Sequence, residues 1–93
     1  MTANDATRLA TLHQIFDEPL TNQQKDIILM YAMGSAVETI ADLKKISFHT
    51  VRKQLDNIRL QFGELTLSAI KSIIFIRLVA LNINQLSILN AAH

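Results

Sequence analysis

Residues 34–63 read GSAVETIADLKKISFHTVRKQLDNIRLQFG, and their periodicity decides the fold. In the second half Val51, Leu55, Ile58 and Phe62 recur at spacings of four, three and four, which is one apolar face of an α-helix. Arg52, Lys53, Asp56 and Arg59 fall on the remaining surface. Ser47 is a cap residue at its start and Gly63 a stop at its end, so the pattern predicts a helix over about 47–62. In the first half, Ser35-Ala36-Val37-Glu38 has the form of a capping box. It predicts a helix of only two turns, to about Lys44, with a break at Lys45-Ile46. A short helix, a tight turn and a second helix with an apolar inner and a basic outer face is helix-turn-helix geometry. The first helix braces the second, leaving it free to enter the major groove, whose base edges carry a readable donor and acceptor code.

Outward from this stretch the chain stays helical. Thr21-Asn22-Gln23-Gln24 is a further capping box. It opens a helix carrying Ile27, Ile28, Met30 and Tyr31 that should stop near Gly34. Residues 5–16 set Leu9, Leu12, His13 and Phe16 on one stripe, a short amphipathic helix, ended by Asp17-Glu18-Pro19 because a residue preceding Pro avoids helical geometry. A last helix is expected from about Thr66 to about Asn82, apolar almost all round through Ile70, Ile73, Ile74, Ile76, Leu78, Val79 and Leu81. The tail from Asn84 to His93 either extends it or packs back. The expectation is an all-α bundle of about four to five helices. It divides into an N-terminal helical extension (1–19), the helix-turn-helix unit (20–63), and a long apolar C-terminal helix with its tail (64–93).

With 93 residues the chain has room for one core, and at 49% hydrophobic content it is too apolar to be disordered. It holds no Cys, which removes disulfides and Cys-based zinc sites and fits a reducing cytoplasm. Met1 to Ala10 lacks the basic and apolar regions of a signal peptide. The run from Ile70 to Ile83 is shorter than a membrane span and contains Lys71 and Arg77, so no membrane role is expected. The net charge of +1 hides an uneven distribution. Residues 1–19 carry Arg8 against Asp5, Asp17 and Glu18. Residues 43–63 carry Lys44, Lys45, Arg52, Lys53 and Arg59 against Asp56 alone, a local charge of +4. Such a patch attracts phosphates whatever the whole-chain sum.

From Leu20 to Gly63 the chain resembles the LuxR/GerE-type helix-turn-helix domain of bacterial transcription regulators. Leu20-Thr21 and Ile27-Ile28-Leu29 match its first helix, and Ala32-Met33-Gly34 its Ala-x-Gly turn. Ile40-Ala41, Ile46-Ser47, Thr50-Val51, Ile58 and Gly63 follow the spacing of its second and third helices. Sigma-factor region 4 has a related pattern. Thr39, Gln54, Gln61, Phe62 and Asp56 depart from the residues usual in the family. The resemblance implies a sequence-specific DNA-binding regulator, GerE-like in size, with Thr50, Arg52 and Lys53 facing double-stranded DNA. Arg52 and Lys53 donate to guanine edges, while Ser47 and Thr50 stand where hydroxyls and amides suit a phosphate or cap the helix. Lys44, Lys45, His49, Asn57 and Arg59 complete the DNA-binding set. About nineteen residues precede the unit, so control is expected to come from abundance or from a partner, and localisation to be cytoplasmic, on the nucleoid.

A helix without a polar side is buried on more than one face, and in so small a domain the further cover is expected from a second copy, with the chain's own N- and C-terminal segments as the other possible cover. Ile70, Ile73, Ile74, Arg77 and Leu81 are the residues assigned to that homodimer. Arg77, among apolar neighbours, is expected to snorkel to water, with a carboxylate across the dimer as the other possibility. The rival to DNA binding is a protein-interaction module, an anti-regulator or adaptor that binds another regulator through the apolar last helix. RNA polymerase is a further possible partner. No enzyme activity, cofactor or metal is expected. His13, His49 and His93 are scattered without ligand or triad spacing, and there is no glycine-rich phosphate loop. His13, Met30 and Met33 read as packing residues.

Overall fold

Three of the connections between helices close in the same way, and this sets the path of the chain. The computed structural model describes the backbone of residues 3–91 and the side-chain surroundings of residues 5–84. It is all-helical: α1 (Ala3–Thr11), one 3-10 turn (Leu12–Ile15), α2 (Asn22–Ala32), α3 (Val37–Lys44), α4 (Phe48–Gln61) and α5 (Leu67–Ala91). After α2, the Ser35 amide bonds the Met30 carbonyl (3.0 Å) and the Gly34 amide that of Tyr31 (3.1 Å). After α3 the same pair is Ile46 to Ala41 (3.0 Å) and Lys45 to Asp42 (3.3 Å), and after α4 it is Glu64 to Arg59 (2.8 Å) and Gly63 to Leu60 (3.2 Å). Each is a Schellman closure, which satisfies orphan carbonyls and needs a left-handed residue. Gly34 (φ 100°) and Gly63 (φ 71°) supply it, and at the third it is Lys45 (φ 56°).

Helix α2 lies at the centre and touches α1, the 3-10 turn, α3, α4 and α5. Its Ile27, Ile28, Leu29 and Met30 are buried, and its N-terminus carries the expected capping box between Thr21 and Gln24. One core gathers Leu9, Phe16 and Leu20 from the N-terminal segment, Ile40 and Ala41 from α3, Val51, Leu55 and Ile58 from α4, Phe62 just beyond it, and Ile70 and Ile74 from α5. Six isoleucines are wholly buried, each stabilising the fold by about 1.5–3 kcal/mol.

Three local expectations change. The N-terminal helix ends at Thr11 and continues as a 3-10 turn, in place of one helix to Phe16. The second capping box does not form. The N-cap of α3 is Ala36, without a side-chain bond, because Ser35 stands one residue ahead of the cap position, where its backbone amide closes α2. Helix α5 is capped by Thr66, whose Oγ1 accepts from the Ala69 amide at 3.1 Å, and the tail takes the first of its two open courses, extending the helix past Asn82 to Ala91. Its first eighteen residues, 67–84, have a mean hydropathy of 1.5, enough by length and composition alone to cross a bilayer, contrary to the expectation from Ile70–Ile83. Residues 92–93, with His93, lie outside the described residues.

The homodimer set is also rearranged. Ile70 and Ile74 are fully buried inside this chain, and Ile73 packs against the same core. Arg77 neither snorkels free nor waits for a second copy. Its guanidinium donates to both carboxylate oxygens of Glu18, at 2.8 and 2.9 Å, and to the Ile15 carbonyl at 3.3 Å, and lies 5.7 Å from the Phe62 ring centroid. Those hydrogen bonds hold the Glu18 carboxyl below its ordinary value. The exposed apolar face of α5 is instead Phe75, Ile76, Val79 and Ile83, 41–67% exposed.

Candidate nucleic-acid interface

Two polar ties fix α3 and α4 against α2. Asp26, on α2, accepts from Lys44 Nζ through Oδ2 at 2.7 Å and meets His13 Nε2 through Oδ1 at 2.6 Å. One carboxylate therefore joins the N-terminal segment, α2 and the end of α3. Gln24, also on α2, donates through Nε2 to Gln54 Oε1 of α4 at 2.9 Å. Between these ties Val51, Leu55 and Ile58 are buried, so the orientation of α4 is set by both apolar and polar contacts.

The face left outward is the one the periodicity predicts. His49, Arg52, Lys53, Asp56 and Asn57 are all exposed, as are Lys45 and Ser47 in the turn ahead. Among the described residues the ion pairs are His13–Asp26, Lys44–Asp26 and Arg77–Glu18. Lys45, Arg52 and Lys53 take part in none of them. Lys44 is placed differently from the expectation, since its ammonium group is turned inward to Asp26 and its side chain is only 19% exposed. Arg59 is partly committed, donating from Nε to the Leu65 carbonyl at 2.8 Å, where it steadies the turn into α5.

At the N-terminus of α4, Ser47 Oγ accepts from the Thr50 amide at 3.0 Å and meets Thr50 Oγ1 at 2.8 Å. Both hydroxyls thus serve the cap. The first turn of α4 carries no acidic residue, which leaves the partial positive charge of the helix end open to an anion.

One residue of this face escapes the sequence pattern. Phe48 stands three before Val51 and seven before Leu55, so its spacing extends the buried stripe. It lies instead at the helix edge, 42% exposed, with the Arg52 guanidinium 5.4 Å from its ring centroid. The available signal is the spacing of four between an aromatic and a cation directly after a cap. Asp26 is the other omission. Its partners are thirteen and eighteen residues away in sequence, outside the reach of any local pattern.

Comparison of the chain with protein families, curated proteins and solved structures gives no match.

Proposed function

We propose that this protein is a LuxR/GerE-like helix-turn-helix regulator of transcription. It binds double-stranded DNA sequence-specifically through α4 in the major groove, as a homodimer, in the cytoplasm on the nucleoid. The observation that carries the reading is the pair Arg52 and Lys53, exposed and, among the described residues, in no ion pair, on the outer face of a helix braced from behind. Lys45 adds a third such cation at the turn, where the neighbouring closures have glycine. Arg52 and Lys53 address base edges, and Lys45 and the capped helix end address phosphates.

The second copy is assigned to Phe75, Ile76, Val79 and Ile83, which share one side of α5. Four large apolar side chains supply the dry centre that a self-complementary two-fold interface needs. Helix-turn-helix dimers present two recognition helices to two half-sites, which offsets the small number of free cations on each copy. An adaptor that binds another regulator is the second reading, favoured by the same exposed face of α5.

Titration of duplexes enriched from a random pool tests the DNA reading. Wild type should bind with an affinity that falls steeply with salt, at roughly 0.9 in log–log slope per neutralised phosphate. Arg52→Ala/Lys53→Ala should weaken binding by about a hundredfold or more, since each bidentate base contact contributes about 1–3 kcal/mol. Equal binding by wild type and variant would remove the groove assignment, and failure to enrich any duplex at low salt would favour the adaptor.

A further inference from the structure

Resting on the DNA reading above, we infer that Phe48 and Arg52 act as one composite reader, recognising a thymine methyl beside the guanine that Arg52 contacts. Phe48 is the first residue of α4, at the end of the recognition helix whose residues reach base edges in helix-turn-helix complexes. A 42%-exposed phenylalanine there does little for the core, which Val51, Leu55 and Ile58 already fill. Its contact is with Arg52, one turn on, and a helical side chain leans towards the preceding turn, bringing the guanidinium over the ring.

The stacking has two consequences. An exposed arginine loses rotamer freedom when it is ordered, and a guanidinium already resting on a ring has less left to lose on meeting guanine O6 and N7. The ring itself is carried into the groove beside the fork. Guanidinium and ring centroid are 5.4 Å apart, between one and two base-pair rises of about 3.4 Å, so the ring meets a base pair neighbouring the guanine. Phenylalanine offers neither donor nor acceptor there. The polar edge of a purine or an unmodified cytosine facing it loses water without compensation, whereas the thymine C5 methyl is the apolar group the major groove presents.

The test removes one methyl from the DNA. Duplexes enriched by the full-length wild-type protein should carry thymine next to the guanine that Arg52→Ala no longer distinguishes from other bases. Replacing that thymine by deoxyuridine should weaken wild-type binding about fourfold per half-site, the equivalent of one buried methyl at about 0.8 kcal/mol. Phe48→Ala should bind the thymine duplex more weakly and no longer distinguish thymine from uracil, with unchanged helicity and melting temperature. Phe48→Leu should recover part of the methyl discrimination. Equal wild-type affinity for the two duplexes overturns the composite reader while leaving DNA binding intact, as does a full thymine–uracil difference in Phe48→Ala. Failure of wild type to enrich any duplex overturns both.

Discussion

Helices α4 and α5 are neighbours in the chain, and composition ranks their burial the wrong way round. Helix α4 carries Arg52, Lys53, Asp56 and Arg59, yet places Val51, Leu55 and Ile58 wholly or almost wholly inside. Helix α5 is apolar through most of its described length but leaves Phe75, Ile76, Val79 and Ile83 at the surface. Spacing, not apolar content, determines what one domain buries. A helix with one apolar stripe has a single way to meet the core. A helix apolar all round has several, and its unused side is available to another molecule.

The sharpest way to break this comparison uses three isoleucines. Ile58→Ala on α4 and Ile74→Ala on α5 each empty a fully buried position and should each cost about 2–5 kcal/mol in a urea melt. Ile76→Ala, two residues along α5 at a 65%-exposed position, should leave a dilute monomer within about 0.5 kcal/mol of wild type. Ile76→Glu should nevertheless weaken self-association about a hundredfold by light scattering, as expected for a charge at the centre of an interface whose central residues contribute about 2 kcal/mol or more. A wild-type monomer at high concentration, or a dimer indifferent to Ile76→Glu, would remove the second copy from α5. Partition of wild type into lipid vesicles would assign that face to a membrane.

The same contrast separates what the sequence makes legible from what it hides. The inner face of α4, the cap at Ser47 and the stops at Gly34 and Gly63 follow from local periodicity and backbone chemistry. The outward position of Arg52 and Lys53 follows from them. For α5 the periodicity carries no phase, and the side assigned to a dimer through Ile70 and Ile74 proved to be the core side. The remaining differences depend on long-range pairing. Arg77 finds Glu18 across fifty-nine residues, and Lys44, counted among the DNA-facing cations, is drawn to Asp26 on a neighbouring helix. No local pattern encodes either encounter.

The polar ties of the two helices differ in kind, and pH separates them. Helix α4 is tied to α2 by neutral amides, Gln24 to Gln54, whereas α5 is tied to the N-terminal segment by an ion pair. The Glu18 carboxyl is lowered from its ordinary 4.5, chiefly by the Arg77 hydrogen bonds. Its contribution is therefore fully present above about pH 4.5 and lost as pH falls through the lowered folded-state value. Glu18→Gln should be less stable than wild type by about 1 kcal/mol near neutrality, and the gap should shrink on acidification below about pH 4.5. A gap constant with pH would show that the clasp acts through packing alone.

The smallest expected effect compares the turns that lead into the two helices. Each holds a non-glycine residue in the left-handed region, Lys45 (φ 56°) before α4 and Glu64 (φ 63°) before α5. A side chain in that conformation costs about 1–2 kcal/mol, partly offset because glycine loses more freedom on folding. Lys45→Gly and Glu64→Gly should therefore each stabilise the protein by about 0.5–1 kcal/mol in thermal melts. Their effects on DNA should diverge. Lys45→Gly removes a cation from the approach to the groove and should lower the salt-dependence slope by about 0.9 for each phosphate that is no longer neutralised, while Glu64→Gly should leave it unchanged. On the DNA reading proposed above, a lysine at glycine's place in the closure is strain retained for binding, and equal DNA affinity and slope in Lys45→Gly would remove that explanation.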